Sequence, residues 1–157
     1  MKKPMLKPLV ILLVLQVLVF GSPSAVRAEE MTCPPHTPVS TDIKPPEYPN
    51  KINLSARGLL PVAVLTTQDF DASRFTPEMA HLSDASTAMT MGCVGAAATR
   101  WKLDDVNGNG QLDLVFFFRI QDLNLTTSST AATLMAHGPY GSSVIHILGT
   151  DSVLVKP

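Results

Sequence analysis

The stretch Asp105-Val-Asn-Gly-Asn-Gly-Gln-Leu-Asp-Leu-Val-Phe-Phe-Phe-Arg-Ile120 carries a turn and a strand back to back. Leu112, Leu114, Phe116, Phe118 and Ile120 recur at period two, which places them on one face of an extended chain. Val115 and Phe117 occupy the opposite face, so the strand is expected to be buried on both sides. A strand of that kind sits inside a sheet, and the rest of the chain has to supply its neighbours.

Working outward, Gly58 to Thr67 (GLLPVAVLTT) is an apolar run rich in branched residues and too short for a typical helix. It predicts a buried strand, with Pro61 near a strand start or an edge because proline has no N–H to give a ladder. Thr133 to His137 and Ser143 to Leu148 flank Gly138-Pro139-Tyr140-Gly141 and predict a hairpin, and Asp151 to Lys156 a last strand. In Gln68 to Asp84, Thr76 is expected to cap a short turn begun by Pro77 and Glu78, with helix ending there. Ala85 to Thr99 (ASTAMTMGCVGAAAT) reads as an irregular crossing. The fold class is therefore all-β, a small β-sandwich with little helix spanning residues 42–157. Pro34, Pro35 and Pro38 make residues 29–41 a proline-rich extended arm.

Residues 1–28 read as a cleaved signal peptide. Lys2, Lys3 and Lys7 precede the apolar run Leu9 to Phe20, and small residues from Ser22 lead to Ala28. As a helix that run reaches roughly 18 Å, short of the roughly 30 Å needed to span a bilayer. The expected location is secreted or periplasmic, with no membrane attachment after cleavage. The leader takes Lys2, Lys3, Lys7 and Arg27 with it, so eight bases face 13 acids and the mature chain carries a net charge of −5. Those bases are scattered, which excludes the clustered charge that nucleic acid or an anionic membrane surface demands. Charged residues make up 16% of the chain and hydrophobic ones 45%, a mixture that buries a core rather than remaining disordered.

The two cysteines, Cys33 and Cys93, predict a single disulfide in an oxidising compartment. It would close a loop of about 60 residues and contribute about 4 kcal/mol on the chain-entropy estimate.

The turn half of the opening stretch has metal-loop spacing. Asp105, Asn107, Asn109 and Asp113 stand at positions 1, 3, 5 and 9, Gly110 at position 6, and Gln111 offers its backbone carbonyl from position 7. Alternate residues of a tight curl can point their oxygens inward, which suits Ca²⁺ and suits Mg²⁺ less well. Position 12, where an EF-hand places a bidentate glutamate, is Phe116, so an EF-hand is excluded. With two carboxylates the site would be weak, in the class of extracellular modules with Kd of about 10⁻⁴ to 10⁻³ M. Asn-Gly-Asn-Gly is also a good hairpin turn that needs no ion, and both readings stand.

Asp42-Ile43-Lys44-Pro45, Tyr48 to Leu54, Gly58 to Thr67 with Phe70-Asp71, the Asp104 to Asp113 loop with Leu114-Val115, and Gly149 to Val153 together resemble an uncharacterised family of exported bacterial β domains. Its pattern runs D-I-K-P-G, P-N-x-I-N, G-x-x-P-V-A-I-L and D-V-D-G-D-G-x-x-D-L-V. The resemblance implies a calcium-stabilised β domain without a known catalytic role. Here Pro46 replaces the glycine, Asn107 and Asn109 replace aspartates, and Phe117 stands where histidine is frequent.

The other polar residues carry no catalytic pattern. His36, His81, His137 and His146 are far apart in sequence and lack zinc-site spacing, so they read as surface or hydrogen-bonded histidines. No serine lies in a G-x-S-x-G elbow. Trp101 with Phe116 to Phe118 reads as core, with a sugar platform as the other possibility. The expected function is a secreted or periplasmic calcium-binding structural or interaction module, not an enzyme. The alternative is a carbohydrate- or peptide-binding domain whose ion only braces the fold. In either case the partner is an unknown extracellular protein or glycan.

Overall fold

The computed structural model describes residues 34–88 and 94–157. The signal peptide, residues 29–33 of the arm and both members of the expected Cys33–Cys93 disulfide lie outside the described residues. The fold is all-β: β1 (Thr37–Pro38), β2 (Thr41–Ile43), β3 (Lys51–Asn53), β4 (Leu59–Val64), β5 (Met79–Asp84), β6 (Ala96–Asp104), β7 (Asp113–Arg119), β8 (Ala131–Tyr140), β9 (Ser143–Ser152) and β10 (Leu154–Lys156). Eight strands form one curled mixed sheet in the order β1-β9-β8-β5-β6-β7-β4-β2, and β10 pairs with β3 beside it.

The curl makes a sandwich because two stretches of chain each serve both layers. Strand β6 pairs with β5 at Ala96 and Ala97 and with β7 from Ala98 to Asp104, with a register shift between Ala98 and Arg100. A bulge is the usual device by which a strand turns from one sheet into the next. On the far side, Thr37–Pro38 runs parallel to β9 and Thr41–Ile43 antiparallel to β4. The amides between them continue the pattern, with Val39 donating to Leu148 O at 2.9 Å and Leu65 donating to Ser40 O at 2.9 Å. Residues 37–41, expected in an extended arm, thus belong to the sheet.

Between the layers lies one apolar core. Ile43, Leu60, Val62 and Val64 meet Leu114, Phe116 and Phe118 from one layer, and Leu82, Leu134, Ala136 and Ile147 from the other. The alternating face of the decisive stretch is this contribution, with Leu114, Phe116 and Phe118 fully buried. Pro61 lies just beyond the residues of β4 that pair with β2, and its carbonyl accepts from Lys44 N at 2.8 Å.

Two sequence expectations are corrected. The short helical turn is at Ala72–Arg74, capped by Asp71, whose side chain accepts from Ser73 N, and not at Thr76. Thr76 instead donates its N–H to Pro139 O at 2.9 Å, and the chain proceeds into β5. Helix also extends past Asp84 as the single turn α1 (Ala85–Ala88), and the expected crossing becomes strand from Ala96. Alanines have little strand preference of their own, so pairing with β5 and β7 sets their conformation.

The seam where β2 meets β9 is held by Asp151. Its Oδ2 accepts from Ile43 N at 2.9 Å and from Asn50 Nδ2 at 2.7 Å, and Asn50 Nδ2 also reaches Ser152 O at 2.8 Å. Gly149 lies under the crossing chain: a Cβ there would stand 1.7 Å from Thr41 Oγ1 and 2.8 Å from Val39 O. Gly149→Ala should destabilise by about 2 kcal/mol, since overpacked sites must shift backbone; urea unfolding measures it, and an unchanged midpoint would contradict the close approach.

Asp42, on the adjoining strand, is pushed above the usual carboxylate range by burial first and then by the charges of Asp151 and Asp113. Folding therefore favours its protonated form, and stability falls as pH rises from the ordinary value of 3.8 through the raised folded value. Asp42→Asn should melt higher than the wild type at pH ~7, with the gain vanishing below both values. Melting curves across that acidic window check the sign.

Candidate functional site

Strand β6 ends at Asp104 and β7 begins at Asp113, so the loop between them joins two paired strands. Gly108 and Gly110 have φ of 72° and 84°, the left-handed region where a side chain is strained, and they allow the tight curl. Asp105 is its hub. Its Oδ1 accepts from Gly108 N at 2.8 Å and Asn109 N at 3.1 Å, and its Oδ2 from Gly110 N at 2.8 Å. Asn107 Oδ1 accepts from Asn109 N at 3.1 Å, and Asn109 Oδ1 from Gln111 N at 2.8 Å.

Asp113 behaves differently from the other expected ligands. It is fully buried, with Oδ1 accepting from Thr66 N at 2.8 Å and Oδ2 from Val106 N at 3.2 Å. Thr66 Oγ1 in turn donates to Leu112 O at 2.7 Å and accepts from Ala72 N at 3.0 Å. Asp113 thus fastens the loop to the chain leaving β4. The structure brings Asp105, Asn107 and Asn109 into one curl and gives Asp113 a tethering role at its edge. Asp104, just before the loop, pairs with Lys102, which holds its carboxyl below the usual range. Among the described residues no three His, Cys, Asp or Glu side chains converge on one point. The expected set has only two carboxylates, and its other oxygens are amides and a carbonyl.

A second feature opens where β5 and β6 part. Beyond Ala97, β6 turns to β7 alone, and among the described residues no strand pairs the other edge of Thr99 to Asp104. A cleft of about 510 Å³ fills the gap, lined by Glu78, Met79, His81, Arg100 and Trp101, with Phe116 of the core at its floor. Trp101 is opposite Phe116 and faces the core side, yet 44% of it is exposed because β5 has separated from it. Met79 is 57% exposed across the gap. Arg100 lies over Phe117 at 4.0 Å from the ring centre, which holds its planar cation on the face of β6 opposite Trp101. Phe116 and Phe118 are core as expected, whereas Trp101 is not.

Sequence reading also missed where the histidines go. All four border a hollow of about 290 Å³ on the outer face of β1, β9, β8 and β5. No family model, curated protein or solved structure matches this chain.

The tether role of Asp113 predicts that Asp113→Ala destabilises by about 2 kcal/mol even with chelator present, because two N–H groups lose their acceptor. Urea unfolding with and without chelator tests this. A variant as stable as wild type in chelator would show that the tether does not hold the loop.

Proposed function

We propose that this chain is an exported, non-catalytic binding module, whose cleft between β5 and β6 takes an extended peptide from an extracellular protein partner. The unpaired edge of Thr99–Asp104 beside a 510 Å³ cleft carries this reading. An incoming strand would satisfy the edge amides and carbonyls, while Trp101, Leu103 and Met79, all exposed apolar residues, would take alternate side chains. A glycan is the second reading, supported by the exposed ring of Trp101 with Glu78 in the same cleft.

Calcium in this proposal braces the β6–β7 loop and takes no part in ligand chemistry. Asp105, Asn107, Asn109, the Gln111 carbonyl and Asp113 are its ligands; Asp105 Oδ2, Asn107 Oδ1, Asn109 Oδ1 and the Asp113 oxygens each accept one N–H and keep a second lone pair, whereas Asp105 Oδ1 already accepts two. The resemblance to exported calcium-stabilised domains belongs to the same proposal, as does a Cys33–Cys93 disulfide. Alkylation of the exported protein without reductant should find no free thiol.

Binding should be visible without a label, since Trp101 is the single tryptophan. A displayed peptide library is the first screen and a glycan array the second. A bound peptide should shift Trp101 emission, lose at least tenfold in affinity on Trp101→Ala and lose as much when its alternate backbone amides are methylated. Peptides that bind equally well to Trp101→Ala without changing its emission would sink the cleft assignment.

For the loop, about 10 mM calcium at a Kd of about 0.5 mM should stabilise by roughly 1.8 kcal/mol. That is several degrees in Tm, and Asp105→Ala should abolish it. Identical melts in calcium and chelator would leave the loop a turn held by its own N–H groups.

A further inference from the structure

The chain has four histidines, and His36, His81, His137 and His146 all line one hollow. Register explains the gathering. His137 on β8 faces His146 on β9 and Met79 on β5, and His81 on β5 faces Met135 on β8. His36 directly precedes the Thr37–Ile147 pair, which brings it beside His146. The neighbours Ala80, Leu82, Ala136 and Ile147 point into the core, so the histidines point out.

The hydrogen bonds assign tautomers. His81 Nδ1 lies 3.2 Å from Gly95 O, and a carbonyl only accepts, so the proton is on Nδ1 and Nε2 carries the lone pair. His137 Nε2 lies 3.3 Å from Glu78 Oε2, which places its proton there and leaves the lone pair on Nδ1. That Nδ1 is buried and has no hydrogen-bond partner, which is costly, and it meets an ion in the hollow only after neighbouring side chains move. An imidazole with one nitrogen tied to a carboxylate or carbonyl and the other free is the form in which histidine ligates metals. The rings of His137 and His146 are stacked 5.3 Å apart.

We propose that His81, His137 and His146, with His36 at the rim, form a site for a late first-row transition-metal ion, copper(II) foremost. Imidazole suits copper, zinc and nickel, and copper(II) binds nitrogen donors most tightly of the divalent series. The preference for copper(II) rests on the imidazoles alone, since the soft thioethers of Met79 and Met135 in the same lining suit copper(I); calcium and magnesium want oxygen. As they stand, no three of these side chains meet at one point. The ion draws them together by ring rotation, for which the exposed His36 and the partly buried His146 have room. Glu78 is a positioning residue, fixing the His137 tautomer from behind.

Titrating the full chain, purified without a histidine tag, with copper(II) at neutral pH tests the site. One equivalent should bind, with electron paramagnetic resonance showing nitrogen coupling from at least two imidazoles. Zinc should compete, and calcium should not displace the copper. His146→Ala should weaken binding about tenfold or more. Glu78→Gln should weaken it less and move its pH midpoint. The wild-type spectrum decides even if a variant fails to fold: copper bound without nitrogen coupling overturns the site. So does an affinity unchanged in folded His146→Ala.

Discussion

The carboxylate of Asp151 joins two layers that have no continuous ladder between them at that point. It takes the N–H of Ile43 from β2 and the side-chain amide of Asn50, and it stands on β9. Without an acceptor there, the Ile43 N–H and one of the two N–H groups of the buried Asn50 side chain would be left unpaired, at a cost of about 1–3 kcal/mol per group. The same carboxylate contributes to the raised pKa of Asp42, so the seam concentrates negative charge as it closes the curl. Gly149 completes the arrangement by letting the crossing chain lie against β9 where no side chain fits. The last strand, β10, is positioned from this knot, since Leu154 N donates to Asn50 O at 3.0 Å.

The opposite switch, at β6, is built without such a clamp. After the bulge between Ala98 and Arg100 the strand belongs to β7, and β5 continues with β8 alone. One side of the sandwich is sealed and the other stands ajar over Phe116. An unpaired strand edge is usually guarded by charge. Here Arg100, Lys102 and Asp104 alternate with Trp101 and Leu103, so charge lies on one face and exposed apolar surface on the other. That asymmetry is what a strand-accepting groove needs, and the proposed peptide-binding reading rests on it.

Much of the frame was legible in the chain. The period-two run ending at Ile120 identified β7, and the branched run after Gly58 identified β4. Their mutual pairing, Val62 with Phe116 and Val64 with Leu114, is a finding of the structure, since burial alone does not say which strands are neighbours. The tight β6–β7 loop was legible from its glycines. Strand β5 was not, because Thr76-Pro77-Glu78 is a helix-start signal and only Ala80 and Leu82 betray the alternation. The start of β6 was hidden in alanines that take their conformation from partners distant in sequence. The histidine face was not read from the sequence: the turn expected at Gly138 to Gly141 is strand through Tyr140, and the tighter turn at Gly141-Ser142 is what sets His137 opposite His146. His81 and His36 join them only through the order of β5, β8, β9 and β1, which local sequence does not encode. The buried tether of Asp113 to Thr66 was likewise invisible, since its partner is 47 residues away.

The central claim is a sheet closed at one switch point and open at the other, and amide hydrogen exchange reads both ends in one experiment. The amides of Val39, Ile43 and Leu65 each have an acceptor across the closed seam, so they should exchange slowly and only with global unfolding. Along Thr99 to Asp104, the amides that point away from β7 should exchange fast in the free protein. Fast exchange at Ile43 and Leu65 while the core strands stay protected would show that the seam does not close the fold. Protection all along both edges of β6 would show that the second seam is not open.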